Sequence, residues 1–587
     1  MIKKMIRQML AAQILSALTV SLCLLIDSIV IGQYLGEDAL SAYGLANPIL
    51  LIIGAFGTAL SAGVQVVCSR ALGRGSQEEA NAGFSSAVFL GLVFSLPFMI
   101  LVLLFCTPIS RILGAHDGKL LFDTATYIRG FVIGAPATMG ALILVPFLQM
   151  GGRTGLLIAS VGTMTVADIV LDLLNVTVFH GGMFGMGLAS ALSYYAALLV
   201  GGTYFFSKKC FFRFSLKQVS AAKMKELFQN SIPAVFNMAS SVILVYAMNH
   251  ILLGVSGSGA VAAYSVISSI GNASCCISTG VGGVSLTLSG IFYNEEDRRG
   301  LRTLKKALLR ASVLLGIAVG VIIILLAPQA VSLFITEEGP TREMAILGLR
   351  IFELALIPCC INGALKNAYQ GTGRERWTEM MSLAQNAVCP VLSAWLLSSL
   401  FGTTGAWFFF LCGELLTFAG TCFFVWKKTG LTPWKELNLL MLPADFSAPA
   451  SEILEVSIHT MQDVSDASLQ AYEFCRARGQ SAKISNRLSL CVEEMAANVV
   501  KHGFSSDARE HHLYVRLMNK KGRWILRFRD NCRAFDPVSY VPGEKAEKAI
   551  GIRLVLALAD EIRYTYSMSL NNLVIVLNEA SISSLGA

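Results

Sequence analysis

Twelve runs of about twenty mainly apolar residues fill the first 430 positions of this chain. A run of that length is matched to the thickness of a bilayer. In lipid its backbone must pair its own N–H and C=O groups, which makes each run a spanning helix. The runs cover residues 9–31, 40–68, 82–106, 125–148, 157–179, 184–206, 232–254, 260–289, 306–335, 344–369, 380–400 and 404–426. Composition agrees: 54% of the 587 residues are hydrophobic, only 14% are charged, and mean hydropathy is +0.63. A soluble chain carries about 25% charge. A soluble enzyme over the whole length, a disordered chain and a disulfide scaffold are therefore excluded. The 14 cysteines include no C-x-x-C pair, and most sit in apolar runs, among them Cys23, Cys106, Cys275 and Cys359. They read as small buried hydrophobes rather than metal or redox ligands. Lys3, Lys4 and Arg7 precede a run too long for a signal-peptide core, so it is expected to remain as the first span.

The charges are unevenly placed. About 34 of the 84 charged residues lie in 441–587, balanced in sign, so the net +8 belongs to the apolar part. With an even number of spans both termini fall on one side. With that side cytoplasmic, inner segments hold about 24 Lys and Arg, including Arg70, Arg153, Lys208, Lys209 and Arg298. Outer segments hold about five, such as Arg111 and Arg342. The positive-inside rule then places both termini in the cytoplasm of a multi-pass protein in the cytoplasmic membrane. It also accounts for the basic charge without nucleic acid.

Shifting the chain against itself by one constant offset, without gaps, aligns Ala42-Tyr43 with Ala263-Tyr264. The same shift aligns Arg129-x-Phe131 with Arg350-x-Phe352, and Gln149-x-x-Gly152-Arg153 with Gln370-x-x-Gly373-Arg374. Six spans map onto six in the same orientation. The expected fold is therefore an all-α membrane domain of two parallel-related six-helix bundles, a transporter plan with its path between the bundles. It occupies 1–430, with halves of about 1–210 and 225–430. A linker, 431–450, and a soluble domain, 451–587, follow.

Carboxylates inside spans are costly and point to function. Asp27 lies in the first span. Asp168 and Asp172, four apart on one helix face, lie in the fifth, and Glu353 and Glu414 in the tenth and twelfth. Carboxylates facing one cavity can share a proton or hold Na⁺. Asp27-Ser-Ile-Val-Ile-Gly32, Ala167-Asp168-Ile-Val-Leu-Asp172 and Gln370-Gly-Thr-Gly373-Arg374 resemble motifs of the MATE (multidrug and toxic compound extrusion) family. The resemblance implies an antiporter that exports bulky, often cationic organic compounds in exchange for H⁺ or Na⁺. Asp27 and Asp172 would be its cation-coupling carboxylates, joined by Asp168, which stands where the family usually has Asn. Leu192 falls where a hydroxyl is expected. Asn237 takes a position where some members have Glu, so no cation site is assigned to the second bundle.

The tail alternates helix and strand patterns in an α+β manner. A helix is expected over 485–503, strands over 511–518 and 524–529, a helix over 552–559 and a final strand over 572–577. Glu494, Asn498 and His502 share one helix face, where a carboxylate and an amide can orient Mg²⁺ and a water near a phosphate. Together with Asp530-Asn-Cys-Arg-Ala534 and Gly551-Ile-Arg553 they resemble the boxes of the GHKL ATPases, nearest the anti-sigma-factor serine kinases. The resemblance implies an α+β sandwich that binds ATP and Mg²⁺. Glu494 would be the catalytic base and Asn498 the metal ligand. Asp530 would hold the adenine amino group, and Gly551 would lie by the phosphates. Cys532, Ala534 and Arg553 replace glycines of that pattern; Arg553 either pairs with a phosphate or obstructs it.

The expected function is a cation-coupled exporter of drugs or other organic compounds, with a cytoplasmic ATP-binding regulatory domain and a cytoplasmic protein partner for it. The alternatives are a membrane-tethered serine kinase that senses ligand through its transporter half, and a lipid-linked saccharide flippase. The chain has no G-x-x-x-x-G-K-[ST] loop, which argues against a primary ATP-driven pump. The orientation is directly testable. In a cysteine-light background an impermeant thiol reagent on intact cells should label S41C and spare S215C.

Overall fold

A computed structural model describes residues 2–578 except 114, 116–117, 207–209, 211, 336–337, 436, 444, 506–509 and 539–549. Lys208 and Lys209 thus lie outside the described residues. The first lobe comprises α1 (Ile2–Val30), α2 (Glu37–Gly73), α3 (Gln77–Ile112), α4 (Gly118–Val132), α5 (Ala135–Met150), α6 (Thr154–Leu174) and α7 (Gly182–Gly202). The second comprises α8 (Ala221–Ser274), α9 (Cys276–Asn294), α10 (Arg298–Ser332), α11 (Pro340–Glu353), α12 (Leu356–Gly371), α13 (Glu375–Leu383), α14 (Cys389–Ala406) and α15 (Phe409–Thr429). Among the described residues nine helices are long and apolar enough to cross a membrane. Two bent pairs, α4 with α5 and α11 with α12, bring the number to eleven, and α1 supplies the first predicted run.

The repeat is visible in the backbone. The two bends measure 48° and 49° and fall at equivalent places in the two halves, Ile133-Gly134 and Leu354-Ala355. Gly36 (φ +90°), which separates α1 from α2, has its counterpart in Gly257 (φ +72°), which breaks α8. Gly152 and Gly373 both take positive φ, +70° and +80°. Each is a conformation that residues with a Cβ avoid.

The lobes are joined at the end that carries the tail and separate at the other. One core cluster unites Ile6, Met9 and Val64 of the first lobe with Val281, Leu288 and Tyr369 of the second. At the far end the apolar clusters are distinct, one built on Ile31 and Tyr127, the other on Ile267 and Trp407. At the joined end a Cβ on Gly73 would stand 2.7 Å from the Ile291 carbonyl, so α2 and α9 touch backbone to backbone. Arg70 closes this end by donating to the Gln370 carbonyl at 3.1 Å and pairing with Glu375 at 3.6 Å.

The stretch expected as a linker, 431–450, packs against the second lobe through its described residues. Tyr369 Oη donates to the Leu439 carbonyl (2.6 Å) and Arg374 to that of Met441 (2.8 Å), while Phe446 stacks on Tyr293. The tail then folds as β1 (Ile453–Ile458), α16 (Met461–Arg476), α17 (Ala482–Asn498), β2 (Leu513–Lys520), β3 (Arg523–Asp530), α18 (Ile550–Leu558), β4 (Glu561–Ser567) and β5 (Leu570–Asn578). The sheet is antiparallel in the order β1-β2-β3-β5-β4. The predicted elements are present with ends shifted by a few residues. β1, α16 and β4 are additional, and α16 begins with a Thr460–Asp463 capping box. Leu488, Cys491, Val492 and Met495 of α17 pack on Val515, Trp524, Leu526 and Phe528.

Strand alternation leaves Arg516, Arg527 and Arg529 on the face away from that core, which in an antiparallel sheet normally meets water. Here it meets the turn between α9 and α10. Glu295 pairs with Arg527 at 2.8 Å and Arg529 at 2.5 Å, and Asp297 lies 3.7 Å from Arg516. Glu295 is 4% exposed, so these are buried charges held by each other. Glu295 and Asp297 outweigh the burial that opposes the Arg529 charge and hold it above its ordinary value. Burial, followed by the neighbouring arginines, holds Arg527 below its own. The first lobe is also gripped. Met568 N–H donates to the Met150 carbonyl at 2.7 Å, Ser569 Oγ to that of Gly152 at 3.0 Å, and Arg563 to that of Arg74 at 2.7 Å.

Removing one partner of a buried pair leaves the other charge uncompensated, at about 3–5 kcal/mol. E295A should therefore release the sheet from the membrane domain. Hydrogen exchange should accelerate in β2 and β3, whereas α16 and α17 keep their protection.

Candidate functional site

The first candidate site lies inside the first lobe. Asp27 comes from α1, and Asp168 and Asp172 from successive turns of α6. Their side chains meet because α1 packs along α6 and both abut α7. One oxygen from each carboxylate lies within 4.8 Å of the others, and the three are 4%, 3% and 0% exposed. Ser190 Oγ of α7 donates to Asp27 (3.4 Å), and Ser193 reaches Asp168. The hydroxyls expected at 192 thus come from its neighbours; Leu192 itself faces outward, 43% exposed. Both Asp172 oxygens are buried without a donor among the described residues. Three carboxylates at this separation repel one another unless a proton or a cation lies among them. Their oxygens form a hard donor set suited to H⁺ or Na⁺. Tyr43, Tyr127 and Tyr194 close the surroundings with apolar rings and buried hydroxyls.

The two glutamates belong elsewhere. Glu353 accepts from Ser274 Oγ at 2.8 Å. Glu414 accepts from Asn362 at 2.6 Å and from Gln385 at 3.0 Å. Both lie within the second lobe; Glu414 is held by two donors, while Glu353 Oε2 is buried without one among the described residues.

The second candidate site is a cavity of about 670 Å³ in the tail, on the helix-covered face of the sheet. Asn498, His502, Asp530, Cys532, Tyr564 and Asn571 are among the residues that line it. Asp530 is fixed at its floor by Asn571 Nδ2 (2.7 Å) and the Cys532 N–H (2.9 Å). Burial raises its carboxyl above the usual range, partly opposed by those two donors. Such a buried acceptor in a cavity of ligand size suits a small planar group bearing N–H donors. Glu494 lies against Gly551, where an added Cβ would come within 2.0 Å of its Oε2. Arg553 is exposed on α18 and does not line the cavity. The structure therefore gathers Asn498 and Asp530 in one cavity and Glu494 with Gly551 beside it, and leaves Arg553 outside. Sequence reasoning missed Asn571 and Tyr564, which bond to each other at 2.6 Å. They stand on the last two strands, where the polar Asn571-Asn572 pair in an apolar run was the available signal.

Comparison with known proteins follows the same division. The MatE family model matches residues 12–174 and again 233–396, two stretches whose starts keep the offset of the internal repeat. A model described as a histidine kinase-like ATPase domain matches residues 459–577. The chain is 26% identical over 392 residues to the multidrug export protein MepA of Staphylococcus haemolyticus, covering 65% of this chain and 84% of that one. It is 22% identical over 435 residues to the probable multidrug resistance protein YoeA of Bacillus subtilis, covering 70% and 90%. A structure of an outward-facing multidrug resistance MATE family transporter aligns with TM-score 0.66 at 21% identity, over 73% of this chain and 96% of that one. A MOP superfamily transporter from Pyrococcus furiosus aligns at 0.67 and 20% identity, over 74% and 96%. Carrying that family's model in both halves and an ATPase-type fold at its end, the chain belongs to the MATE family of multi-pass membrane transporters, fused to a histidine kinase-like ATPase domain.

Proposed function

We propose that this protein is a cation-coupled antiporter that exports drugs or other bulky organic compounds across the cytoplasmic membrane, with its tail in the cytoplasm. The observation that carries the proposal is the buried cluster of Asp27, Asp168 and Asp172. A lobe that only scaffolded a path would not place three mutually repelling carboxylates in a membrane interior. Loading H⁺ or Na⁺ there relieves the repulsion, and losing it restores the repulsion. The cluster's stability is thereby tied to the ion gradient.

The tail is read as a nucleotide-responsive regulator. Asp530 faces the cavity, while Arg529, the preceding residue on the same strand, pins the opposite face to Glu295. A ligand that shifts β3 therefore acts on the docking of both lobes. That docking sits on the end where the lobes are closed, and alternating access requires this end to open. ATP with Mg²⁺ fits the cavity's size and its donor set. Asp530 would receive the adenine amino group, and Asn498 with Glu494 would face the metal and phosphates.

In proteoliposomes with an imposed pH or Na⁺ gradient, D27N and D172N should each reduce drug efflux to the level of empty vesicles while inserting normally. Calorimetry on the full-length protein should show Mg·ATP binding, weakened at least about tenfold by D530N, since hydrogen bonds to charged groups contribute about 1.5–3 kcal/mol. G551A drives a Cβ into Glu494 and should also weaken binding. R553G should weaken binding if Arg553 closes onto a phosphate and strengthen it if Arg553 obstructs.

A further inference from the structure

Each lobe holds a polar centre, and the two differ in the sign of their charge. The repeat places α8, the α13–α14 segment and α15 where the first lobe has α1, α6 and α7. Under the offset of the repeat, Glu414 is the counterpart of Ser193, and Asn386 that of Thr165. The first lobe's centre holds three carboxylates, whose counterparts under the same offset are the uncharged Met248, Cys389 and Ser393, and the second lobe's own buried charge is Lys366 of α12. The Lys366 ammonium donates to Asn237 Oδ1 of α8 at 2.7 Å, and Asn386 Nδ2 donates to the same oxygen at 2.8 Å.

The lysine is directed inward. Its Cα lies five residues from the end of α12, about 7 Å from the tail-side end, near enough for a lysine to reach the interface. Its charge goes instead to Asn237, sixteen residues along α8, or about 24 Å from that helix's start. Glu414 is within electrostatic reach but is committed to Asn362 and Gln385. Among the described residues no carboxylate oxygen lies within 4.0 Å of the ammonium. A cation deep in a membrane bundle with only a neutral amide for contact is expensive to keep. Asn362, Gln385 and Glu414 are buried, whereas Lys366, Asn237 and Asn386 keep part of their surface open although protein surrounds the ammonium. The three have N–H donors to spare: the remaining ammonium protons and the unused amide protons.

We propose that Lys366, Asn237 and Asn386 form an anion-accepting subsite of the second lobe, which takes a carboxylate-type oxyanion on the transported organic compound. The proposal rests on the exporter reading above and adds a substrate class to it. A carboxylate seated there gives Lys366 the counter-charge that the protein withholds, through charge-assisted hydrogen bonds. Cargo with both an amine and a carboxylate is then recognised by both lobes, and a purely cationic compound by the first alone.

The test uses the full chain in proteoliposomes and two fluorescent probes, the zwitterionic quinolone norfloxacin and its ethyl ester, which lacks the carboxylate. Wild type should favour the acid over the ester in kcat/KM by about tenfold, the scale of one charged hydrogen bond, with the difference in KM. K366M, verified as monodisperse on a sizing column, should bring the ratio to about one, and K366R should restore it. Equal handling of the two probes by wild type, a preference that survives K366M, or a loss that K366R fails to rescue each overturns the subsite alone. Gradient-driven efflux of neither probe by wild type strikes the exporter reading, and the subsite falls with it.

Discussion

A charge removed from water must be held by something else, and this molecule is organised around where it permits that. In the first lobe three carboxylates are packed together with too few donors to satisfy them. In the second a carboxylate is wrapped in amides and a lysine rests on one asparagine. At the tail interface carboxylates and arginines neutralise one another. Only the last arrangement is closed on itself, and it is structural. The other two leave buried charge with fewer partners than it needs, and carboxylates and lysines in such places are costly to keep.

Paired symmetry makes the contrast readable. Two copies of one six-helix design share their bends, their positive-φ glycines and even their caps, Ser76 on α3 and Asp297 on α10. The backbone is thus repeated while its charges are not: Asp27, Asp168 and Asp172 have Met248, Cys389 and Ser393 as counterparts in the second copy, and Lys366 has Val145 as its counterpart in the first. Asp297 shows the same divergence at the surface, where a cap has also become a docking partner for Arg516.

Much of this was legible in the sequence. Twelve apolar runs and matches at one constant offset revealed the spans, the lobes and their relation, because bilayer thickness and internal duplication both write long, regular patterns. Asp27, Asp168 and Asp172 were legible because carboxylates are rare in such runs, and the structure brings them together. Asn498 and Asp530 were found through motif spacing, and they share a cavity. What stayed hidden depends on contacts distant in sequence. Glu295 looks like a loop residue on a basic face until Arg527 and Arg529 are seen across from it. Lys366 was passed over because a lysine near a helix end ordinarily reaches for solvent, and only Asn237, far away in the sequence, shows that it turns inward. β1 is a short strand, and α16, although it has 16 residues and a capping box, is an ordinary amphipathic helix that stands out little beside the membrane runs.

The grip of the β4–β5 turn and the arginine face on the turns after α2, α5 and α9 also bears on biogenesis. Two of those turns belong to the first lobe and one to the second, and all precede in the chain the sheet that joins them. The sheet's charged face has no complement until the turn between α9 and α10 is in place, and the β4–β5 turn has none until the turns after α2 and α5 are. Full docking of the tail domain therefore requires both lobes to be in place. Displacement of the turn after α9 alone would take from Arg516, Arg527 and Arg529 the carboxylates that neutralise them.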